Sequence, residues 1–360
     1  MSATTEVGHD APSPRARLLV ALAVGILAAI GVVVRVRLAP WHSGSGQTDF
    51  DYIWFAGRAL LHGQDPYALI GQGRAFEWPW PLFYPLTTVV GVLPLALLPV
   101  RLASALFTGV SAALLAYVVT RDGWERLAIF ASASAFAALQ GAQWSPLLTA
   151  AGAVPALSVL LVLKPNLCVA FVAAQPTARR IRDVAIAGAL LAAVAFALRP
   201  GWVTEWRSAV ASSIHFRIFL FHPLGAVLIL ALLRWRRFDA RLLLAMACVP
   251  QTPLIYEALP LFLIPATRRE MLVLLLLSAL SGPAQVLAAR GLDPVRGSDM
   301  IANVMIAAFY IPCLVMVLRR PNEGPVPAWV ERLADAARAR LGGWRRRASD
   351  ETRAPAVADE

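Results

Sequence analysis

Residues 18–34 read LLVALAVGILAAIGVVV, a run of seventeen residues with no charge and no proline. About 20 apolar residues in helical form cross the hydrocarbon core of a bilayer, and Arg15 and Arg17 stand just before this run. Because no small-residue cleavage site follows, we expect an uncleaved first membrane helix with the N-terminus inside the cell. The whole chain has the same character, since 58% of its residues are hydrophobic, 15% are charged and the mean hydropathy is +0.63.

Ten apolar segments are candidates for membrane crossing. They are residues 18–37, 86–120, 127–142, 145–174, 183–199, 218–234, 240–251, 254–267, 271–289 and 300–318. The sequence therefore predicts an all-α fold, a polytopic transmembrane helical bundle of about 10 spans. Pro94 and Pro99 interrupt the second segment, and Pro155 and Pro165 interrupt the fourth. We expect a short half-helix followed by a full span in the second segment, and a similar break in the fourth.

Arginines set the orientation of the spans, because cytoplasmic loops carry an excess of basic residues. The clusters are Arg121 with Arg126, Arg179 with Arg180 and Arg182, Arg234 with Arg236, Arg237 and Arg241, Arg268 with Arg269, and the tail from Arg319 onward. Placing them inside gives a multi-pass protein of the cell membrane with both termini in the cytoplasm. The chain is then divided into an N-terminal tail (1–17), a membrane domain (18–320) with a long outer loop (38–85), and a C-terminal tail (321–360).

The charge balance indicates the partners of the chain. It carries 33 basic and 22 acidic residues, a net charge of +11, and 32 of the basic residues are arginines. In a membrane protein this excess favours contact with anionic membrane lipids, and no nucleic-acid motif is present. The tail from residue 327 has the spacing of an interfacial amphipathic helix, and residues 345–360 have a disordered composition.

The cysteines indicate neither a disulfide nor a metal site. Cys168, Cys248 and Cys313 all lie in apolar runs, their number is odd, and no metal-ligand spacing is present. We therefore expect reduced thiols, no bound metal and no cofactor.

The outer loop begins with a concentration of carboxylates and aromatic residues. Thr48 and Asp51 have the spacing of a capping box, which predicts a helix start and a structural role for Asp51. Asp49 lies two residues before Asp51, so the two side chains point about 200° apart around the helix axis. One carboxylate can then support the helix while Asp49 faces a cavity. Asp49 is therefore our candidate general base, with Asp51 as the second candidate catalytic carboxylate.

Lys164 is the only lysine of the chain and lies inside an apolar run, directly before a proline. An ionisable residue at membrane depth is costly and by default a functional candidate. It is our candidate partner for a phosphate group, against the alternative that it snorkels from a helix end to the interface.

The outer loop and the following span resemble glycosyltransferase family 87. The motifs are Asp49-Phe50, Trp54, 56–61 (AGRALL), 63–67 (GQDPY), Phe83-Tyr84-Pro85 and 93–95 (LPL), with looser matches at 140–143, 163–165 and 250–256. These are GT-C type integral-membrane enzymes, typified by polyprenol-phosphate-mannose-dependent mannosyltransferases. The resemblance implies a GT-C bundle with interfacial helices in the first outer loop.

The resemblance also implies the reaction. An inverting enzyme of this kind moves a sugar, most commonly mannose, from a polyprenyl-phosphate donor to a lipid or glycan acceptor on the outer face, with Asp49 as general base. No metal or cofactor is required, because charge spreads over the sugar ring oxygen and the leaving phosphate. The candidate substrate-binding residues are Lys164, Arg58, Tyr67, Tyr84, Gln143, Tyr256 and Glu257.

Two other functions fit the composition. A lipid-linked sugar transporter or flippase also has broken helices and cations at membrane depth, but no internal repeat of the kind common in transporters is visible. A non-catalytic membrane protein with a GT-C-like fold is the second. The carboxylate-bearing helix in the outer loop favours the enzyme, because a transporter does not need it.

Overall fold

The computed structural model describes residues 12–38, 47–211, 213, 216–326, 330–333, 335–336 and 338. Most of the predicted C-terminal tail and residues 39–46 of the predicted outer loop therefore lie outside the described residues. The α-helices are α1 (Pro14–Leu38), α2 (Asp49–Leu61), α3 (Pro66–Leu69), α4 (Leu86–Ala96), α5 (Val100–Val119), α6 (Ala133–Gln140), α7 (Ser145–Ala153), α8 (Pro165–Ala174), α9 (Ala178–Leu198), α10 (Trp202–Ala211), α11 (Phe238–Cys248), α12 (Arg268–Ala289), α13 (Pro294–Met305) and α14 (Ile311–Leu318).

Shorter elements connect these helices. The 3₁₀ segments are Thr120–Asp122, Trp124–Ala131, Pro155–Leu163, Phe219–Phe221, Ala226–Arg234 and Ile255–Leu263, and a π-helical turn, Ile306–Tyr310, joins α13 to α14. Two strands of two residues each, β1 (Ile70–Gly71) and β2 (Phe76–Glu77), pair in parallel in the outer loop. The predicted all-α class is confirmed, because β1 and β2 form the only sheet in the described part of the chain.

Five helices among the described residues are long and apolar enough to cross a membrane, which indicates a membrane protein. They are Pro14–Leu38, Val100–Asp122, Ala178–Leu198, Arg268–Ala289 and Pro294–Leu318. Each corresponds to one of the ten predicted spans. The other five segments form shorter helical pieces, so the span count of ten, the GT-C type and the orientation stay predictions.

Prolines break the two long apolar segments where the sequence predicts it. In the second segment α4 contains Pro94, and Pro99 precedes the long helix α5. In the fourth, Pro155 and Pro165 separate α7, a 3₁₀ segment and α8. A proline lacks the backbone N–H and pushes the residue before it into an extended conformation. Lys164 is such a residue, with φ −142° and ψ 93°, so it lies in a break between two helical pieces.

Two glycines bring α1 and α5 into close contact. A Cβ at Gly25 would lie 2.7 Å from the carbonyl oxygen of Gly109, and a Cβ at Gly109 would lie 2.9 Å from the carbonyl oxygen of Gly25. Small residues at facing positions let membrane helices approach this closely. The contact attaches α1 to the bundle, since few of its residues are buried.

Arg180, in the first turn of α9, joins the three pieces of the broken fourth segment. Its guanidinium donates to the Gly152 carbonyl at 2.9 Å, to Ser158 Oγ at 3.0 Å and to the Phe171 carbonyl at 3.3 Å. Arg180 is fully buried. These bonds fix the pieces on both sides of Lys164, so Arg180 determines where that residue lies.

Replacing Arg180 with glutamine removes the donor from the buried Gly152 carbonyl and the buried Ser158 hydroxyl, whereas the Phe171 carbonyl keeps the N–H of Gln175. Each buried unsatisfied polar group costs roughly 1–3 kcal/mol, so we expect the free energy of unfolding to fall by about 3 kcal/mol. The measurement is SDS-titrated unfolding of the purified protein in micelles. The control is Arg179→Gln, because Arg179 is exposed and pairs loosely with Asp183 at 3.6 Å. Equal losses in the two variants would contradict the joining role of Arg180.

Candidate active site

The structure contains a cavity of about 2090 Å³. Its lining includes residues of the outer loop, the end of α6, the break at Lys164 and the segment from the end of α11 to residue 257. Typical small-molecule pockets measure about 300–1,000 Å³, so this cavity has room for more than one ligand. Six of the nine predicted site residues line it: Asp49, Tyr84, Gln143, Lys164, Tyr256 and Glu257. Residues separated by up to 208 positions in sequence therefore meet around one space.

Asp49 is held at the first position of α2 by the turn that follows α6. Its backbone N–H donates to the Gly141 carbonyl at 3.0 Å, and its Oδ2 accepts a hydrogen bond from the side-chain amide of Gln143. Between them, Ala142 has φ +49°, a conformation that a non-glycine residue rarely adopts. The turn thus fixes both the backbone and the carboxylate of Asp49.

The surroundings of Asp49 change its acidity. Burial raises the pKa of Asp49 from its ordinary value to about 6. The Gln143 hydrogen bond and the charges of Arg35 and Lys164 oppose that rise, and Asp51 adds to it. A carboxylate with a pKa near 6 is ionised at neutral pH and is a stronger base than an ordinary aspartate.

Asp51 points away from this cavity and supports the helix start. The capping box with Thr48 is present: the Thr48 N–H donates to Asp51 Oδ2 at 2.8 Å, and Thr48 Oγ1 donates to Oδ1 at 2.7 Å. Ser104 of α5 also donates to Oδ1 at 2.7 Å. The catalytic candidacy of Asp51 therefore finds no support in its position, because its oxygens are engaged in fixing α2 to α5.

Lys164 and Glu257 form a buried ion pair on the cavity wall. Their exposed fractions are only 8% and 2%. Thr252 Oγ1 lies 3.5 Å from Glu257 Oε1, whereas Oε2 of Glu257 is buried with no hydrogen-bond partner in the described part of the chain. The ammonium of Lys164 is thus balanced by one carboxylate, and that carboxylate retains an acceptor atom.

Arg58 and Tyr67, two of the predicted substrate-binding residues, are not among the residues that line the cavity. Arg58 follows Asp49 by nine residues on α2, a rotation of about 180° around the helix, and lies over the Trp54 ring at 5.9 Å. Tyr67 donates its hydroxyl hydrogen to the Tyr84 carbonyl at 3.0 Å. Tyr67 therefore contacts the cavity lining through the backbone of Tyr84.

Arg35 is a cavity residue that the sequence reasoning missed. It lies in the last turn of α1, lines the cavity, and donates to the Gln47 carbonyl at 3.0 Å. The predicted orientation offered a signal, because it places this arginine at the outer end of the first span, against the usual bias of basic residues to the inside. Tyr52, which also lines the cavity, was missed as well, although it lies one turn after Asp49 on α2.

The cavity lining therefore contains two cations, Arg35 and Lys164, and four carboxylates, Asp49, Glu77, Glu257 and Asp293. Within the described ranges, no group of three or more His, Cys, Asp or Glu residues is placed to hold a metal ion. The arrangement can take a proton at Asp49 and can attract an anion at Arg35 and Lys164.

No protein-family model matches the chain, and no curated protein or solved structure is significantly similar to it.

Breaking the buried ion pair tests its structural role. Lys164→Met leaves Glu257 buried without a partner, so we expect the free energy of unfolding to fall by about 3–5 kcal/mol. Adding Glu257→Met removes the unpaired charge and should restore most of that loss. SDS-titrated unfolding of the single and double variants measures both effects.

The exposed pair of Arg121 and Asp122, 3.7 Å apart, is the matched control. Arg121→Met should change the free energy of unfolding by less than about 1 kcal/mol. A double variant at the cavity that is no more stable than Lys164→Met alone would contradict the pairing.

Proposed function

We propose that this chain is an integral-membrane, inverting glycosyltransferase that takes a sugar from a polyprenyl-phosphate donor. The observation that carries the proposal is that Asp49, with a pKa of about 6, and the cations Arg35 and Lys164 face the same large cavity. A base for the acceptor and cations for a leaving phosphate are the two groups that such a transfer needs.

The reaction proceeds in one displacement. The acceptor hydroxyl oxygen attacks C1 of the donor sugar while Asp49 takes the hydroxyl proton. The bond between C1 and the phosphate oxygen breaks, and the polyprenyl phosphate leaves with the electron pair. Arg35 and Lys164 stabilise the charge that develops on the departing phosphate. A single displacement inverts the configuration at C1, so no second carboxylate is required as nucleophile.

The phosphate competes with Glu257 for the Lys164 ammonium. When the phosphate takes over part of that charge, Glu257 keeps two acceptor oxygens on the cavity wall, one of which has no partner among the described residues. Hydroxyl groups of the transferred sugar are suitable donors to it. Glu257 thereby becomes a candidate for holding the sugar rather than the phosphate.

Apolar residues at the cavity edge favour a lipid-linked donor. Phe136 and Val169 line the cavity and are 65% and 59% exposed. Exposed apolar side chains in a membrane protein face lipid at little cost, since they remain in an apolar medium. A prenyl chain can therefore lie between the cavity and the bilayer. The choice of mannose rests on the family resemblance alone.

The first test is Asp49→Asn. The purified protein is incubated with a panel of radiolabelled polyprenyl-phosphate sugars and a membrane lipid extract. Loss of the base should lower the transfer rate by about 10²–10⁴-fold. The matched control is Asp122→Asn, because Asp122 is exposed and lies outside the cavity. Full activity of Asp49→Asn would refute its role as base.

The same variant should be more stable than the parent at pH 8. The pKa of Asp49 is raised in the folded state to about 6, so its ionisation disfavours folding at every pH above that value. Asparagine removes this cost and still accepts the Gln143 hydrogen bond. The gain should shrink as the pH falls from about 6 to 4, where the aspartate becomes protonated. Thermal unfolding across pH measures it and excludes misfolding as the cause of inactivity.

The pH dependence of transfer gives a second test. The rate should rise with pH through about 6 and then level off, because only ionised Asp49 accepts a proton. Arg35→Gln removes a charge that lowers the pKa of Asp49, so the rising limb should move to higher pH. The control is Arg37→Gln, since Arg37 is exposed and outside the cavity lining. Equal shifts in both variants would contradict the local effect of Arg35.

A further inference from the structure

Four aromatic side chains of the outer loop line the cavity, and we call them the aromatic wall: Tyr52, Trp78, Trp80 and Tyr84. Tyr52 stacks on Trp78 with ring centroids 5.1 Å apart and an angle of 26° between the rings. Its ring also lies 5.9 Å from that of Tyr84, at 44°. Because Tyr52 follows Asp49 by three residues on α2, the wall begins next to the candidate base.

Within the aromatic wall, the ring that follows Asp49 by one helical turn is the least exposed. Tyr52 is only 9% exposed, Trp78 is half-buried, and Trp80 is 43% exposed. An elongated ligand lying on the wall would therefore have one end beside Asp49 and the other near solvent. An acceptor bound in this way would have its reacting hydroxyl group beside Asp49 and the rest of its structure toward solvent.

Two polar side chains stand beside these rings at the same cavity. Gln72 donates its amide to the Pro79 carbonyl at 3.1 Å, and Glu77 accepts the Gly73 N–H through Oε2 at 2.8 Å. Both residues are exposed and line the cavity. Each side chain is oriented by a backbone bond and carries one further oxygen, Oε1, which is able to accept from a hydroxyl group.

This combination fits a sugar ring better than a phospholipid headgroup. A sugar presents a face of C–H groups, which packs on an aromatic ring, and a rim of hydroxyl groups, which bind carboxylate and amide oxygens. A prenyl or acyl chain has no group for Glu77 and would desolvate its charge. An anionic phosphate headgroup would be repelled by it.

Another part of the cavity lining differs in character. Phe136 and Val169 are apolar and exposed, and their helices, α6 and α8, contain no carboxylate. These two parts of the lining therefore suit two different ligands, a lipid chain at Phe136 and Val169 and a polar ring at the aromatic wall. The large volume of the cavity is consistent with both being bound together.

We propose that the aromatic wall is the acceptor subsite and that it binds a neutral saccharide, with a hydroxyl group of its terminal sugar facing Asp49. This inference rests on the proposed glycosyltransferase function and narrows its acceptor to a glycan. The saccharide has two possible sources, a soluble oligosaccharide or the headgroup of a neutral glycolipid, and both present the same chemistry to the wall.

The test measures saccharide binding without donor, so that it does not depend on turnover. Soluble neutral disaccharides are added to the full-length protein in nanodiscs and observed by saturation-transfer NMR. A second arm uses nanodiscs that contain a neutral glycolipid in place of the disaccharide. Binding to the parent protein is expected in at least one arm, and the arm that binds identifies the source.

Variants then test whether the saccharide binds at the aromatic wall. Trp80→Ala should weaken saccharide binding by about tenfold through loss of the stacking surface, and Glu77→Lys should weaken it as well. Trp124→Ala is the matched control, because Trp124 is similarly exposed at 39% and lies outside the cavity. A phosphorylated disaccharide should bind more weakly than its neutral counterpart to the parent and should gain affinity in Glu77→Lys.

The outcomes separate this inference from the proposed function. If sugar transfer occurs to a phospholipid while no saccharide binds in either arm, the acceptor inference is overturned and the glycosyltransferase stands. Equal weakening by Trp80→Ala and Trp124→Ala would also overturn it. If saccharides bind and Trp80→Ala abolishes the binding, but no donor of the panel is used, the saccharide site stands and the proposed reaction fails.

Discussion

The buried ion pair between Lys164 and Glu257 joins two parts of the chain that are 93 residues apart in sequence. Removing an ammonium and a carboxylate from water costs several kcal/mol for each ion, and their attraction offsets this only when they are in contact. The pair therefore fixes the break before α8 against the 3₁₀ segment Ile255–Leu263. Both side chains line the cavity. An anionic ligand that binds Lys164 must therefore compete with Glu257, whose contact with Lys164 also holds these two segments together.

Asp49 is placed by a second constraint, the turn at 141–143. Ala142 is the only non-glycine residue with positive φ in the described part of the chain, and such a conformation costs about 1–2 kcal/mol. With this turn in place, the Gly141 carbonyl accepts a hydrogen bond from the Asp49 N–H, and the Gln143 amide donates one to the Asp49 carboxylate. Strain of this kind persists only where the surrounding structure enforces it, and it concentrates at functional sites. The turn and the ion pair thus fix the positions of Asp49 and Lys164, which line the same cavity.

Local rules predicted those parts of the fold that depend on neighbouring residues. The first membrane helix, the breaks at Pro155 and Pro165, and the capping box at Thr48 follow from composition, proline geometry and spacing. The partner of Lys164 did not follow, because no local rule connects residues that far apart. Arg58 belongs to the same motif as Asp49 but lies about 180° from it around α2, outside the cavity lining. The long 3₁₀ segments were also unexpected, since runs beyond three or four residues are uncommon and apolar sequences do not distinguish them from α-helix.

The raised pKa of Asp49 lowers the stability of the folded state but favours the proposed chemistry. An aspartate with an ordinary pKa near 4 is a weak base, whereas one buried without cations would be protonated and inactive at neutral pH. Burial raises the pKa of Asp49, and Gln143, Arg35 and Lys164 limit the rise to about 6. At pH 7 such a group is mostly ionised, yet it is a stronger base than an exposed aspartate. The folded state gives up stability to hold this charge, and the same environment makes the carboxylate a stronger base, as the proposed transfer requires.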